Sequence, residues 1–137
     1  NMKKARLLAL DYGDVRIGVA ISDPLGMTAQ PVGTIRNSAT AIAEIVAIIT
    51  DKKVETVILG LPKNQHGGDS KKAESVRAFG DKLKEAIDIT IEFVDERFST
   101  VASERHLMSL NMKRKKRKEV LDTQAAMFFL QGVLDGA

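Results

Sequence analysis

The sequence of 137 residues contains no cysteine and no tryptophan, and it has only two histidines. The lack of cysteine excludes a disulfide scaffold, a thiolate zinc site and a cysteine nucleophile. The two histidines, His66 and His106, are too few for the usual zinc hydrolase with several histidine ligands. We therefore expect any bound metal ion to be held by oxygen ligands.

Long apolar segments are also missing. The longest one, residues 39–50, is interrupted by Glu44 and is shorter than the roughly 18 residues that a membrane-spanning helix needs. The sequence also shows no signal-peptide pattern. We therefore expect a cytoplasmic protein without a membrane partner.

Basic residues are concentrated in one segment of the chain. Outside residues 113–118, 15 basic residues stand against 18 acidic ones, which is a balance of −3. Six adjacent cations repel one another, and a polyanion such as nucleic acid offsets this repulsion. A solvated loop is the alternative interpretation. The basic run consists of Lys113, Arg114, Lys115, Lys116, Arg117 and Lys118.

The first third of the chain has the pattern of β-strands. Three strands are predicted over residues 6–11, Arg16–Ser22 and 29–35. The first two are joined by a tight turn, so they must be antiparallel, because a parallel crossover needs a dozen or more residues. Pro31 places the third strand at an edge of the sheet.

The rest of the chain alternates between helical and strand patterns. A helix capped by Asn37 or Ser38 is followed by a strand over residues 56–60, a second helix and a strand over residues 91–94. A third helix is predicted from Ser99 or Thr100 to residue 110, and a fourth from Glu119 onward. This order predicts an α/β protein with a mixed five-stranded sheet flanked by helices, in one domain over residues 2–137.

Three carboxylates occupy positions that are unusual for structural residues. Asp11 ends the first strand on the face of Leu7 and Ala9, Glu96 follows the last strand, and Asp122 precedes an apolar row of the fourth helix. If the first and last strands are neighbours and the last helix crosses their ends, the three acids converge. Asp95 is an alternative to Glu96, and Glu119 to Asp122.

Converging carboxylates repel one another unless a cation lies between them. Oxygen ligands with open positions suit Mg²⁺ or Mn²⁺, and two such ions can activate water and stabilise a leaving oxygen of a phosphodiester. Each acid also has a structural interpretation. Asp11 can shape the turn, Glu96 can pair with Arg97, and Asp122 can stabilise a helix N-terminus.

Six segments together closely resemble one family, the YqgF (RuvX) family, over nearly the whole chain. The resemblance implies an RNase H-like fold and nuclease activity, with the acidic motif positions at Asp11, Glu96 and Asp122. The turn residues Asp14 and Val15 depart from the family pattern. The matching segments are Leu10-Asp11-Tyr12-Gly13, Arg16-Ile17-Gly18-Val19-Ala20, Ser22-Asp23-Pro24-Leu25-Gly26, Gly60-Leu61-Pro62, Asp95-Glu96-Arg97-Phe98-Ser99-Thr100 and Asp122-Thr123-Gln124-Ala125-Ala126.

The resemblance favours a nuclease that processes the 5′ end of pre-16S rRNA, acting as a monomer or a homodimer. The alternatives are a Holliday junction resolvase, which needs two active sites and hence a dimer, and a non-catalytic RNA-binding module of ribosome assembly. Outside the basic run, the candidate contacts with nucleic acid are Arg16, Lys63 and Arg97.

Overall fold

The structure is a computed structural model that describes residues 5–62, 71–95 and 114–136, with the backbone alone for residues 114–122. The described residues form five strands and three helices. In chain order these are β1 (Arg6–Tyr12), β2 (Arg16–Ser22), β3 (Ala29–Arg36), α1 (Ala41–Lys52), β4 (Val54–Leu61), α2 (Lys71–Ala86), β5 (Thr90–Asp95) and α3 (Arg114–Gly136).

The five strands form one mixed sheet in the order β3-β2-β1-β4-β5. β1, β2 and β3 are antiparallel neighbours, whereas β4 is parallel to both β1 and β5. The predicted antiparallel unit and the edge position of β3 are thus confirmed. Pro31 lies on this edge strand, where a missing N–H is tolerated.

Two helix boundaries differ from the sequence prediction. α3 begins at Arg114 rather than Glu119, so Arg114–Lys118 are helical, which agrees with the high helix propensity of lysine and arginine. The N-cap of α1 is Thr40, and the Ser38 hydroxyl accepts the Thr40 N–H at 3.3 Å instead of capping the helix itself. The helix predicted up to residue 110 lies outside the described residues. No helix in the described part of the chain is long and apolar enough to cross a membrane.

The sheet is covered on both faces, and each face has its own apolar cluster. The larger cluster joins the sheet to α1 and α2, whereas the smaller one joins it to α3. Successive strand residues point to opposite faces, so Ile17, Val19 and Ile21 belong to the larger cluster and Ala20 to the smaller one. We call these two sides the α1/α2 face and the α3 face.

Candidate active site

Asp11 lies near the carboxyl end of β1, on the α3 face of the sheet. Leu8 and Leu10 belong to the cluster on the α1/α2 face, whereas Leu7 and Ala9 belong to the cluster under α3. By strand alternation Asp11 shares the face of Leu7 and Ala9, as the sequence predicts. The residue is partly buried, so it borders the apolar cluster and part of its surface is exposed to solvent.

Two neighbours fix the direction of Asp11. Leu10 is fully buried on the opposite face, and the Tyr12 ring packs against Phe79 of α2, with 4.9 Å between the ring centroids and 51° between the ring planes. Turning Asp11 away from α3 would pull both side chains out of the larger cluster. The packing of β1 therefore holds the carboxylate on the α3 face.

The turn after Asp11 is fixed as well. A Cβ at Gly13 would collide with the carbonyl oxygen of Arg16, so only glycine fits there. The side-chain amide of Asn37 donates to the Gly13 carbonyl at 2.8 Å, and the Asn37 backbone N–H donates to the Val15 carbonyl at 2.8 Å. These contacts tie the β1–β2 turn to the end of β3.

The first and last strands are not neighbours, so this condition for convergence of the three acids is not met. The crossover through α1 places β4 directly beside β1, so β4 separates β1 from β5. Leu10 is in register with Leu59, and Leu59 with Phe93. The carboxyl ends of β1 and β5 therefore lie at the same end of the sheet. Two strand spacings, about 10 Å, lie between them.

Asp95 lies on the face opposite Asp11. Val94 packs with the cluster under α3, whereas Phe93 lies against α2, with the Arg77 guanidinium 5.1 Å from its ring centroid. Alternation places Asp95 on the face of Phe93, and its side chain is exposed. Glu96, the next residue, lies outside the described residues.

Asp122 is the ninth residue of α3, so it lies in the third turn. The helix predicted from Glu119 would have Asp122 in its first turn, and this is wrong because α3 begins at Arg114. Stabilisation of a helix N-terminus therefore does not account for this acid. Asp122 comes one turn before Ala126, and Ala126 and Phe129 are buried against the sheet. Glu119 is also helical, nearly one turn earlier.

The predicted nucleic-acid contacts are described in part. Arg16 is the first residue of β2 and is partly buried, whereas Lys63, Arg97 and Lys113 lie outside the described residues. The other five basic residues, Arg114–Lys118, are the first five residues of α3. The predicted basic run is therefore part of the helix backbone from Arg114 onward rather than of a loop.

The structure brings two further features together that the sequence did not indicate. Arg36 lies directly opposite Arg16 on the neighbouring strand. Gln131 of α3 accepts the backbone N–H of Ala29 at 2.9 Å and donates to the Met27 carbonyl at 2.9 Å, which secures α3 to the sheet edge. The sequence does show an arginine at the start of β2 and another at the end of β3. That the two are paired follows only from the strand register.

The predicted metal ligands are described only in part. Within the part of the chain whose side chains are described, no three histidine, cysteine or acidic side chains are placed to hold a metal ion. Of the three predicted ligands, Asp11 alone has a described side chain. The set of Asp11, Glu96 and Asp122 therefore stays a prediction.

Comparisons with known proteins extend over nearly the whole chain. The family model described as "RuvX: Holliday junction resolvase" matches residues 5–136. Proteins named "Putative pre-16S rRNA nuclease" from Clostridium botulinum (strain Hall) and Desulforamulus reducens are both 46% identical to it over 132 residues, which is 95% of this chain and 96% of each relative.

A solved structure shows the same fold. The structure described as T. thermophilus RuvC in complex with Holliday junction substrate is similar with a TM-score of 0.61, covering 97% of this chain and 95% of that one. The two sequences are 12% identical. The likeness therefore identifies an RNase H-like fold, as the sequence resemblance implies.

Proposed function

This chain belongs to the RuvX family, and on that premise we propose that it is a divalent-metal-dependent nuclease that hydrolyses phosphodiester bonds. The observation that carries the proposal is the fixed position of Asp11. Asp11 is partly buried on the α3 face, at the end of the sheet where β1 and β5 both finish. Residues 2–137 form one nuclease domain in this account.

We infer that the substrate is RNA, at the 5′ end of pre-16S rRNA. The support is the name shared by relatives that are 46% identical over 95% of the chain. The basic residues at the start of α3 suit any nucleic-acid backbone, because phosphate contacts carry no sequence information. They support a nucleic-acid partner without distinguishing RNA from DNA.

Asp11, Glu96 and Asp122 would hold the metal, with Mg²⁺ or Mn²⁺ as the ions that suit carboxylate ligands. The donor set fits these ions, since the chain has no cysteine and since Asp11 is a partly exposed carboxylate residue. Two bound ions would supply an activated water and a counter-charge for the leaving oxygen.

The chain's own residues hold the substrate in place. The anchored neighbours Leu10 and Tyr12 keep Asp11 on the α3 face, so the direction of this residue is set before substrate binds. Arg16, Lys63, Arg97 and the run from Lys113 to Lys118 neutralise and orient the phosphate backbone. Buried Ala126 lies one turn from Asp122 and keeps that part of α3 against the sheet.

A Holliday junction resolvase is the second candidate. The description of the matching family and the RuvC-like fold both favour it. Symmetric cleavage of a junction requires two active sites and therefore a homodimer, whereas rRNA processing can be performed by a monomer. Oligomeric state and substrate choice together separate the two functions.

The test is cleavage of a pre-16S 5′-leader RNA and of a four-way DNA junction under Mg²⁺, Mn²⁺ and EDTA. We expect metal-dependent cleavage of the RNA, with the junction intact, and loss of cleavage in Asp122→Asn, which excludes a contaminating nuclease. Cleavage of the junction alone would support the resolvase. Binding of RNA without cleavage under either metal would contradict the nuclease and support the assembly module.

A further inference from the structure

Two arginines face each other across neighbouring strands. Arg16 begins β2, Arg36 ends β3, and the strand register pairs them directly. Residues paired in this way have Cβ atoms about 5 Å apart, so the two guanidinium groups can reach one anion together.

Both arginines lie on the face that carries Asp11. Ile17 and Ile35, the next residues inward, are also paired, and both pack with the cluster on the α1/α2 face. Alternation therefore places Arg16 and Arg36 on the α3 face. Asp11 is paired with Gly18, so Arg16 is its diagonal neighbour, roughly 7–8 Å away.

A concave surface of about 300 Å³ opens at this arginine pair. Its lining, among the residues that the structure describes, consists of Val15, Arg16, Thr34 and Arg36. Thr34 is paired with Gly18, which places it on the α3 face as well. Arginine offers a planar fork of donors that matches the oxygens of a phosphate, and the threonine hydroxyl adds another donor.

The backbone around this concave surface is held by hydrogen bonds. Asn37, which follows Arg36, donates from its backbone N–H to the Val15 carbonyl, and Val15 precedes Arg16. The same residue holds the Gly13 carbonyl through its side chain. The backbone segments that carry the two arginines are thus linked by hydrogen bonds, so less backbone conformational freedom is lost when a ligand binds.

We propose that Arg16, Thr34 and Arg36 form a phosphate-binding subsite for the nucleic-acid backbone, beside the phosphodiester at Asp11. The inference rests on the proposed function for the identity of the polyanion, and it adds Thr34 and Arg36 to the binding residues. The subsite binds a phosphate that is not cleaved and so fixes the direction in which the strand runs past Asp11. It contacts the phosphate and not the sugar, so RNA and DNA should bind to it equally well.

The experiment measures binding of a fluorescent single-stranded RNA by anisotropy in EDTA over a range of salt concentrations. Arg36→Gln is compared with Arg77→Gln, which makes the same charge change on α2 at the other face of the sheet. We expect Arg36→Gln to bind about tenfold more weakly and to lower the slope of log affinity against log salt by about 0.7. Arg77→Gln should change the affinity by less than about twofold.

A second variant, Arg36→Lys, and a second ligand, DNA, test the subsite further. Arg36→Lys keeps the charge but loses the planar fork, so it should keep the salt slope and bind about threefold more weakly. DNA of the same sequence should show the same losses as RNA. Equal effects of Arg36→Gln and Arg77→Gln, wild-type affinity of Arg36→Lys, losses confined to RNA, or no binding by the wild type would each overturn the subsite.

This readout does not depend on catalysis. If the wild type binds RNA, shows the expected loss at Arg36 and yet cleaves nothing when Mg²⁺ or Mn²⁺ is restored, the nuclease proposal fails and the phosphate subsite stands. If cleavage is observed and Arg36→Gln binds like the wild type, the nuclease stands and the subsite fails.

Discussion

The two faces of the sheet are built from different residues. On the α1/α2 face the strands contribute large aliphatic side chains such as Leu8, Leu10 and Leu59, all fully buried under two helices. On the α3 face β1 and β2 contribute Ala9 and Ala20, and the cluster is smaller. Small side chains allow one helix to pack closely on the sheet.

At the turn end of the three antiparallel strands, charge follows the same division. Asp11, Arg16 and Arg36 all belong to the α3 face, at the end of the sheet where β1 meets its turn. The α1/α2 face at that level holds the packed rings of Tyr12 and Phe79 instead. One face thus holds most of the buried apolar side chains, whereas the other carries the charged residues of the proposed site.

The largest expected effect is a loss of stability on the α1/α2 face. Leu83 of α2 is fully buried, so Leu83→Ala should lower the free energy of unfolding by about 2–5 kcal/mol, whereas the exposed neighbour Lys82→Ala should leave it within about 0.5 kcal/mol. Urea unfolding measures both. The cleavage rate per folded molecule should stay at the wild-type value, and a large drop would show that the two faces are not separable.

The next effect distinguishes the two acids at the end of β5. Asp95 lies on the α1/α2 face by alternation, so Asp95→Asn should cleave within about threefold of the wild type. Glu96→Gln should reduce metal-dependent cleavage by about a hundredfold or more, because it removes a proposed ligand. Initial rates under Mg²⁺ decide the matter. The reverse ranking would assign the ligand to Asp95 and require an irregularity after β5.

Much of this arrangement could be predicted from the sequence. The alternation in Arg16–Ser22 and the acid after Leu10 are local signals, and both gave the correct face. The separation of β1 from β5 and the pairing of Arg16 with Arg36 could not be predicted. The first depends on which way the α1 crossover returns, and the second on a shift in register beside Ala20.

A smaller effect concerns the attachment of α3. Gln131→Ala removes the acceptor of the Ala29 N–H and the donor to the Met27 carbonyl, so it should destabilise the protein by about 1–2 kcal/mol. Gln30→Ala, at an exposed position on β3, is the control and should have little effect. Thermal unfolding compares the two. Equal stabilities would mean that the apolar contacts of α3 suffice to hold it.

The smallest effect is a pH dependence at the loop between β2 and β3. The backbone N–H groups of Thr28 and then Met27 donate to the Asp23 carboxylate at 2.9 and 2.7 Å, and they lower its pKa from 3.8. A lowered pKa adds stability that is present above pH 3.8 and is lost as the pH falls through the folded-state value.

Asp23→Asn should therefore be less stable than the wild type at pH 6, and the difference should shrink as the pH is lowered below 3.8. Urea unfolding at several pH values, with Asp51→Asn as an exposed control, measures this difference. A difference between Asp23→Asn and the wild type that stays constant down to pH 3 would show that the carboxylate charge is not what holds the loop.

The most direct test of the central claim is a comparison of two acids in the same segment. Asp11 lies on the α3 face, and Asp14 is exposed in the turn three residues later. The measurement is the rate of metal-dependent cleavage of the 5′-leader RNA by Asp11→Asn and Asp14→Asn, each shown to be folded. We expect Asp11→Asn to lose cleavage and Asp14→Asn to keep it, and equal rates for the two variants would contradict the proposed role of Asp11.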